Sequence, residues 1–475
     1  MIQRLRDELP GYHVVDESPL PIAVFIRGNG GPREAPILYD DAVLKGREVI
    51  VGMMAGQAML KGAELYVPGI LASTKSLNPG DLVAVSIGLP TDPEKNHYGV
   101  SRMAVMEPHV PLDDERFPHR RSLCIGIGEI LLERQQMTKS SSGMAMVMRK
   151  RLNDLPALPQ EFMQGLIMHQ AFPSLLAACV LAPAPGSMVL DMCASPGGKT
   201  TALAQLMENR GRIYAIDRTN SKVIKIEELA RTMGSEIIVA LKGDSSTLYN
   251  AKKSPGEGPS VTKIEAQKSE KALVREERRR LNRIRHGHDH VEGRPANVAS
   301  DGFGAETFDH ILLDAPCSAL GVRPRFLIES SVDDLIRAAK YSRSMLEQAV
   351  HLLKQGGTLV FSTCTLSPLE NEANVRFILD KFPCMKLVEA GAGLHHGSPG
   401  LTGRITVKEG VTVQLLSDQE AKAVQRWDPE DGERSVMGFF ICKMQKRKDK
   451  SALGPRGWRA IRDGLFHLQN AEEEG

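Results

Sequence analysis

The stretch Ser187-Met-Val-Leu-Asp191-Met-Cys193-Ala-Ser-Pro-Gly197-Gly-Lys199-Thr decides the fold. Its apolar run is typical of a buried strand, and the Pro-Gly-Gly segment predicts a tight turn that opens a helix. Four further apolar runs predict strands at 211–217, 237–241, near 311–313 and 358–361. Because strands alternate with helical segments, we predict an α/β fold with a doubly wound, Rossmann-like parallel sheet.

Composition restricts the class of protein. The chain has 475 residues, 42% of them hydrophobic, and a net charge of only +2, so any affinity for nucleic acid must come from local patches. The seven cysteines are scattered and form no CxxC pair, which disfavours a zinc site or a disulfide framework. No apolar run reaches bilayer length, and the N-terminus is charged. We expect no membrane association and a cytoplasmic location, with a nuclear one left open.

The pattern changes several times along the chain. Between 46 and 136, short apolar stretches separated by Gly and Pro predict a small β-barrel. The other predicted segments are an N-terminal flank at 1–45, a linker and RNA-binding lead-in at 137–186 that includes the basic run at 149–151, a catalytic domain at 187–447 and a tail at 448–475.

A charged segment at 250–305 interrupts the catalytic domain and has almost no core-forming residues. It contains the basic run Arg278–Arg280 and a cluster of three histidines that extends from His286 to His290. We interpret it as a disordered, solvated insertion rather than an RNA-contacting arm. No carboxylate or cysteine cluster supports metal binding by the histidines, so no metal site is predicted.

The turn at 193–199 predicts a site for an adenosine-containing cofactor. A phosphate-binding P-loop would need Gly where Cys193 stands, and Pro196 removes one N–H from the loop. By contrast, Asp217 ends the next strand 19 residues after Gly198, the place of a ribose-binding carboxylate. Asp244 follows the third strand, where it can reach an adenine edge. NAD and S-adenosylmethionine both suit this arrangement, although the absence of GxGxxG disfavours NAD.

Two cysteines follow neighbouring buried strands: Cys317 in Asp314-Ala-Pro-Cys-Ser, and Cys364 in Phe361-Ser-Thr-Cys. Residues after adjacent parallel strands meet at one edge of the sheet. Cytosine C5 is a poor nucleophile, so its methylation requires a thiolate to add at C6 and a second group to remove the C5 proton. Asp314 can hold the N3/N4 edge of the base, and Lys199 favours the thiolate. The spacing leaves open which cysteine attacks.

These motifs, "DMCASPGGKT", "DAPCSALGVRP" and "FSTCTLSPLENE", resemble those of the Nop/Sun family of RNA cytosine-5 methyltransferases. The resemblance implies that Cys364 is the nucleophile and that Cys317 assists proton removal and release. It also implies an S-adenosylmethionine site lined by Cys193, Ala194, Ser195, Pro196, Gly197, Gly198, Lys199, Asp217, Asp244 and Asp314.

The segment "AMLKGAELYVPGI…NPGDLVAV" resembles a PUA RNA-binding domain, which makes Lys61 and Tyr66 candidates for RNA contact. The PUA-containing branch of the family implies a tRNA substrate, held at its acceptor end and CCA tail and methylated at cytosine 72. The family usually has more chain before this domain. The same chemistry on rRNA or mRNA stem-loops, or a catalytically inactive RNA-binding protein, are the alternatives. We expect a monomer.

Overall fold

A computed structural model describes residues 2–9, 13–15, 20–27, 46–92, 97–106, 123–152, 162–263, 297–299, 301–328, 330–391, 393–408, 411–429 and 437–448. Its described residues form two compact units. One draws on Met1–Phe162 and Arg323–Glu329, and the other on Met163–Val322, Ser330–Pro429 and Val436–Gly475. In the described part of the chain, no helix is long and apolar enough to cross a membrane.

The first unit is built on a seven-stranded mixed sheet with the order β4-β9-β8-β6-β3-β5-β7. A short β-ladder, β1-β2, lies outside it. The elements of this unit are α1 (Ile2–Glu8), β1 (His13–Val14), β2 (Ile26–Arg27), β3 (Glu48–Gly52), α2 (Met53–Leu60), β4 (Leu65–Tyr66), a 3-10 turn (Val67–Gly69), β5 (Ile70–Thr74), β6 (Leu82–Gly88), β7 (Ala104–Met106), β8 (Cys124–Ile130), α3 (Arg134–Lys139) and β9 (Met144–Arg151).

The sheet of the first unit continues beyond residue 136, into the segment that the sequence assigned to a linker. Strand β9 pairs with both β8 and β4, so its apolar run at 144–148 belongs to this sheet. Arg151 at its end is tied to Glu64 at 2.5 Å and to the carbonyl of Ala63 at 2.9 Å. The linker boundary was therefore wrong, because the basic run at 149–151 hid a strand in which Ala145, Met146 and Met148 are buried.

The second unit confirms the predicted Rossmann-like sheet. Its strand order is β13-β14-β12-β11-β10-β15-β16-β21-β17, with β20 also paired to β21. The six strands from β14 to β16 in this order run parallel, and β21 runs antiparallel to β16. Their carboxyl ends consequently share one edge of the sheet, where ligands of such folds bind.

The elements of the second unit are α4 (Phe172–Leu181), β10 (Met188–Asp191), α5 (Gly198–Leu206), β11 (Arg212–Asp217), α6 (Asn220–Thr232), β12 (Ile238–Lys242), β13 (Val261–Lys263), β14 (Asn297–Ala299), β15 (Phe308–Asp314), α7 (Val332–Leu352), β16 (Leu353–Thr363), α8 (Glu372–Lys381), β17 (Met385–Leu387), β18 (Arg404–Lys408), β19 (Val411–Gln414), α9 (Asp418–Ala421), β20 (Val424–Trp427) and β21 (Phe439–Lys446).

The segment at 250–305 was predicted to be a solvated insertion, and for both of its ends this was wrong. Strand β13 pairs with β14, and β14 extends the parallel sheet beside β12. Phe303 is fully buried and packs edge-to-face on Tyr214 and Phe308. A single aromatic side chain anchors this end in the core, although the composition around it is polar. Residues 264–296, which include Arg278–Arg280 and His286–His290, lie outside the described residues.

Candidate active site

Three loops meet at the carboxyl edge of the parallel sheet. They follow β10, β15 and β16, which are adjacent, in register and fully buried along their centres. Together with the ends of β11 and β12 they enclose a cavity of about 430 Å³. Its lining residues are Met192, Cys193, Ser195, Asp217, Arg218, Thr219, Lys222, Ser245, Asp314, Ala315, Pro316, Cys317, Tyr341, Met345 and Cys364.

One side of the cavity suits an adenosine-containing cofactor. Asp217 ends β11 with only 7% of its surface exposed, and one carboxylate oxygen accepts from the backbone N–H of Arg218 at 2.7 Å. Its other oxygen accepts from the N–H of Ser195 at 3.3 Å, which joins the glycine turn to the end of this strand. A carboxylate fixed by backbone donors retains lone pairs for ribose hydroxyls. The residues present therefore fit S-adenosylmethionine.

The glycine turn that opens α5 is held from inside the sheet. Gly197 has φ of +112°, and a Cβ there would stand 3.2 Å from Leu229 Cδ2, so a side chain is disfavoured on both grounds. Asp191 is almost fully buried and accepts from the Thr200 hydroxyl at 2.7 Å. Burial raises the pKa of Asp191 to about 6, against the hydrogen bond from Thr200 and the charge of Lys199.

The two cysteines predicted from the sequence are brought together. Cys317 Sγ and Cys364 Sγ lie 3.4 Å apart, which is hydrogen-bond distance for two sulfur atoms. The contact from Cys317 lowers the pKa of Cys364, and Lys199 lowers it further, against burial and the charge of Asp314. The same contact, burial and the Cys364 charge raise the pKa of Cys317 far above its usual value. The pair is therefore polarised, with the thiolate favoured on Cys364.

Beside this pair, Lys199 and Asp314 form an ion pair. Lys199 Nζ lies 2.6 Å from Asp314 Oδ2, and the Ser362 hydroxyl donates to Asp314 Oδ1 at 2.7 Å. Lys199 and Asp314 are mostly shielded, with side-chain exposures of 14% and 28%. These bonds link α5, β15 and β16, the three elements that carry the cofactor turn and the two cysteine loops.

Only some of the other predicted site residues line the cavity. Of the turn residues, Cys193 and Ser195 line the cavity, whereas Ala194, Pro196, Gly197 and Gly198 are not among its lining residues. Asp244 is outside the lining; its Oδ1 accepts from the Ser246 N–H at 2.9 Å and from the Ser246 hydroxyl at 2.7 Å. In the first unit, Lys61 is exposed after α2, and Tyr66 on β4 is 52% exposed.

Several lining residues were missed by the sequence reasoning. Arg218 and Thr219 directly follow Asp217, so a search just beyond the strand end would have found them. Tyr341 gave no local signal, because it lies on the long helix α7 and reaches the cavity only through folding. Its hydroxyl accepts from Arg218 Nη1 at 3.2 Å.

Comparison with known proteins gives a consistent result. Residues 178–257 and 255–443 match the family model described as 16S rRNA methyltransferase RsmB/F. The rRNA (cytosine-C(5))-methyltransferase NOP2C of Arabidopsis thaliana is 34% identical over 89% of this chain and 77% of its own length. The tRNA (cytosine(72)-C(5))-methyltransferase of Pyrococcus horikoshii is 30% identical over 88% of this chain and 80% of its own.

The same likeness extends to a solved structure. The crystal structure of NSun6 from Pyrococcus horikoshii with SFG, an analogue of S-adenosylmethionine, superposes with a TM-score of 0.63 at 28% identity. The match covers 94% of this chain and 88% of that one. The resemblance thus includes both units and is not restricted to the cysteine motifs.

Proposed function

Since the chain belongs to the RsmB/F family, and is an S-adenosylmethionine-dependent RNA cytosine-C5 methyltransferase, we propose that Cys364 is its nucleophile and Cys317 its releasing group. The observation that carries this assignment is the 3.4 Å contact between the two sulfur atoms. Within this pair, the thiol of Cys364 is the one whose pKa is lowered. The thiolate is the reactive form of cysteine, so the polarisation favours attack by Cys364.

The first half of the reaction uses Cys364, Lys199 and Asp314. The Cys364 thiolate bonds to cytosine C6, and the C5–C6 π electrons move to C5, which becomes nucleophilic. Asp314 still has free lone pairs, with which it accepts from the N4 amino group on the N3/N4 edge and orients the base. When bound, S-adenosylmethionine supplies the methyl group as an electrophile.

The second half uses Cys317. Bonding of Cys364 to C6 removes the thiolate charge that raises the pKa of Cys317, so Cys317 can lose its proton to solvent. The Cys317 thiolate then takes the proton from methylated C5. The electron pair of the broken C5–H bond restores the C5–C6 double bond, the Sγ–C6 bond breaks, and Cys364 leaves as a thiolate. The pair returns to its starting state with one shared proton.

We propose a tRNA acceptor stem, methylated at cytosine 72, as the substrate. The support is the 30% identity, over 80% of its length, to the Pyrococcus enzyme named for that position. The first unit would act as a PUA domain, predicted at 46–136 and extended by β9 to Arg151, in which Lys61 and Tyr66 are exposed and would meet the acceptor end and CCA tail. The catalytic domain would extend over 187–447. An rRNA substrate is the second candidate, because the Arabidopsis relative at 34% identity is named for rRNA.

The test compares Cys364→Ala with Cys317→Ala on unmodified tRNA and S-adenosylmethionine. We expect no 5-methylcytosine from Cys364→Ala, and from Cys317→Ala a protein–RNA adduct that survives denaturation. An adduct from Cys364→Ala and none from Cys317→Ala would reverse the two roles. A tRNA in which cytosine 72 is replaced by uridine, and an rRNA fragment, run beside it; methylation of the rRNA fragment alone would select the second candidate.

A further inference from the structure

Glu370 lies behind the two cysteine loops and is fully buried. One carboxylate oxygen accepts from the backbone N–H of Ser318 at 2.9 Å, and the other from the Ser318 hydroxyl at 2.6 Å. Its hydrogen-bond partners in the described part of the chain are neutral. A buried carboxylate without a cation is costly, so the fold retains this group despite its effect on stability.

The contacts of Glu370 continue from one cysteine loop to the other. Ser318 directly follows Cys317, and its hydroxyl meets the Thr365 hydroxyl, directly after Cys364, at 2.7 Å. This Glu370–Ser318–Thr365 chain runs beside the 3.4 Å sulfur contact. It therefore ties together the neighbours of both sulfur atoms without touching either of them.

The residue after Glu370 strengthens the same arrangement. Asn371 is also fully buried; its Oδ1 accepts from the Thr363 hydroxyl at 2.5 Å and its Nδ2 donates to the Thr365 carbonyl at 3.0 Å. Asn371 thus fixes the Cys364 loop onto the start of α8. Glu370 is the member of this pair that reaches across to the Cys317 loop.

We propose that Glu370 is a positioning residue that sets the spacing of Cys317 and Cys364 through Ser318 and Thr365. The expected effect of Glu370 on release rests on the proposed function. Its effect on the distance between the two sulfur atoms is independent of that function. The Glu370 charge also contributes to the raised pKa of Cys317. Loss of the carboxylate should lower the pKa of Cys317, but it should also loosen the spacing of the pair and thereby slow release, while RNA and cofactor binding are retained.

The experiment uses the full chain with Glu370→Gln, Ser318→Ala, the double variant and the matched control Glu347→Gln. Glu347 accepts from Lys381 at 2.5 Å in the same unit and is not a lining residue of the cavity. We expect Glu370→Gln to lower kcat about tenfold with KM nearly unchanged, as for loss of one hydrogen bond to a charged group. Denaturation-resistant adduct should rise above the wild-type level. Ser318→Ala keeps the hydrogen bond from the backbone N–H of residue 318 to Glu370, so its kcat should fall less. The kcat of the double variant should match that of Glu370→Gln.

A second readout needs no RNA. Diamide oxidises two adjacent thiols to a disulfide by taking up their two hydrogens, and peptide mass then gives the rate of Cys317–Cys364 bond formation. We expect this rate to fall several-fold in Glu370→Gln, and alkylation of Cys317 by iodoacetamide at fixed pH to rise because a nearby negative charge is gone. The thermal midpoint of each variant reports that it is folded.

The outcomes separate the two proposals. Unchanged disulfide rate and adduct level in Glu370→Gln, or equal changes in Glu347→Gln, would overturn the positioning role. A slower disulfide rate in Glu370→Gln, with no adduct from Cys317→Ala, would keep the spacing role and reject the assignment of Cys317 to release.

Discussion

The loop after β15 and the loop after β16 have nearly the same design. Each leaves a buried strand, places a cysteine in the same cavity and follows it with a hydroxyl residue, Ser318 or Thr365. Their electrostatic surroundings differ. Lys199 lowers the pKa of Cys364, whereas Glu370 contributes to the raised pKa of Cys317. The largest cause of both shifts is the contact between the two sulfur atoms, and these two charges add to it. Two cysteines in equivalent backbone positions thus acquire different pKa values.

The difference teaches that the roles of the cysteines depend on their contact with each other and on neighbouring charges rather than on their own loops. A change in those charges should therefore shift the balance between the two cysteines.

The largest effect is expected for Lys199→Met. Lysine is a cation that favours the Cys364 thiolate, so its loss raises the pKa of Cys364 and also leaves Asp314 without its ion-pair partner. We expect methyl transfer to fall about 100-fold, roughly 3 kcal/mol in transition-state stabilisation. The acid limb of the rate–pH profile, and of Cys364 alkylation, should move to higher pH. Lys381→Met, which removes a lysine paired with Glu347 outside the cavity, is the control; equal loss there would refute the argument.

A smaller effect is expected for Asp314→Asn. The carboxylate raises the pKa of Cys364, so its removal should lower that pKa and move Cys364 alkylation to lower pH, opposite to Lys199→Met. Activity should nevertheless fall about tenfold, because Lys199 and Ser362 lose a charged partner and the base loses an acceptor. Alkylation and turnover measured on the same preparation separate the two effects. Higher turnover would mean that thiolate formation alone limits the rate.

The smallest effect is expected for Cys193→Ala. This third cysteine lines the cavity, but burial and the charges of Asp191, Asp314 and Asp217 raise its pKa well above the usual value. Its sulfur contacts Met345 Sδ at 3.8 Å and not another thiol. We expect turnover within about threefold of wild type, less than 1 kcal/mol, and unchanged adduct formation with RNA. A loss comparable to that of Cys364→Ala would show that position in the cavity matters more than pairing.

Much of the second unit could be predicted from the sequence, because buried parallel strands leave continuous apolar runs. The apolar runs that end at Asp191, Asp217 and Asp314 predicted the strands of the sheet. The residues that follow these runs were predicted to meet at one edge of it. Chemistry then explained why two cysteines are needed at that edge, and the family motifs distinguished them.

The rest depended on contacts between residues distant in sequence. The Ser318–Glu370 bonds join residues 52 positions apart, and a buried glutamate has no local signature. Phe303 belongs to the core only because Tyr214 and Phe308 lie opposite it. Strand β9 was missed because its basic end drew attention away from the buried apolar residues that precede it.

The backbone near Cys364 has a consequence for transplanting this chemistry. Gly321 donates its N–H to the Cys364 carbonyl at 2.9 Å, and Gly438 donates to the Gly321 carbonyl at 2.8 Å. A Cβ on Gly321 would stand 2.1 Å from the Gly438 carbonyl oxygen, so position 321 tolerates no side chain where these two backbone segments meet. These contacts are made by backbone atoms, so the cysteine side chains can be replaced by other nucleophiles while the hydrogen bonds that hold the loops are retained. Grafting the site into another scaffold, however, requires three segments of chain to be moved as one piece.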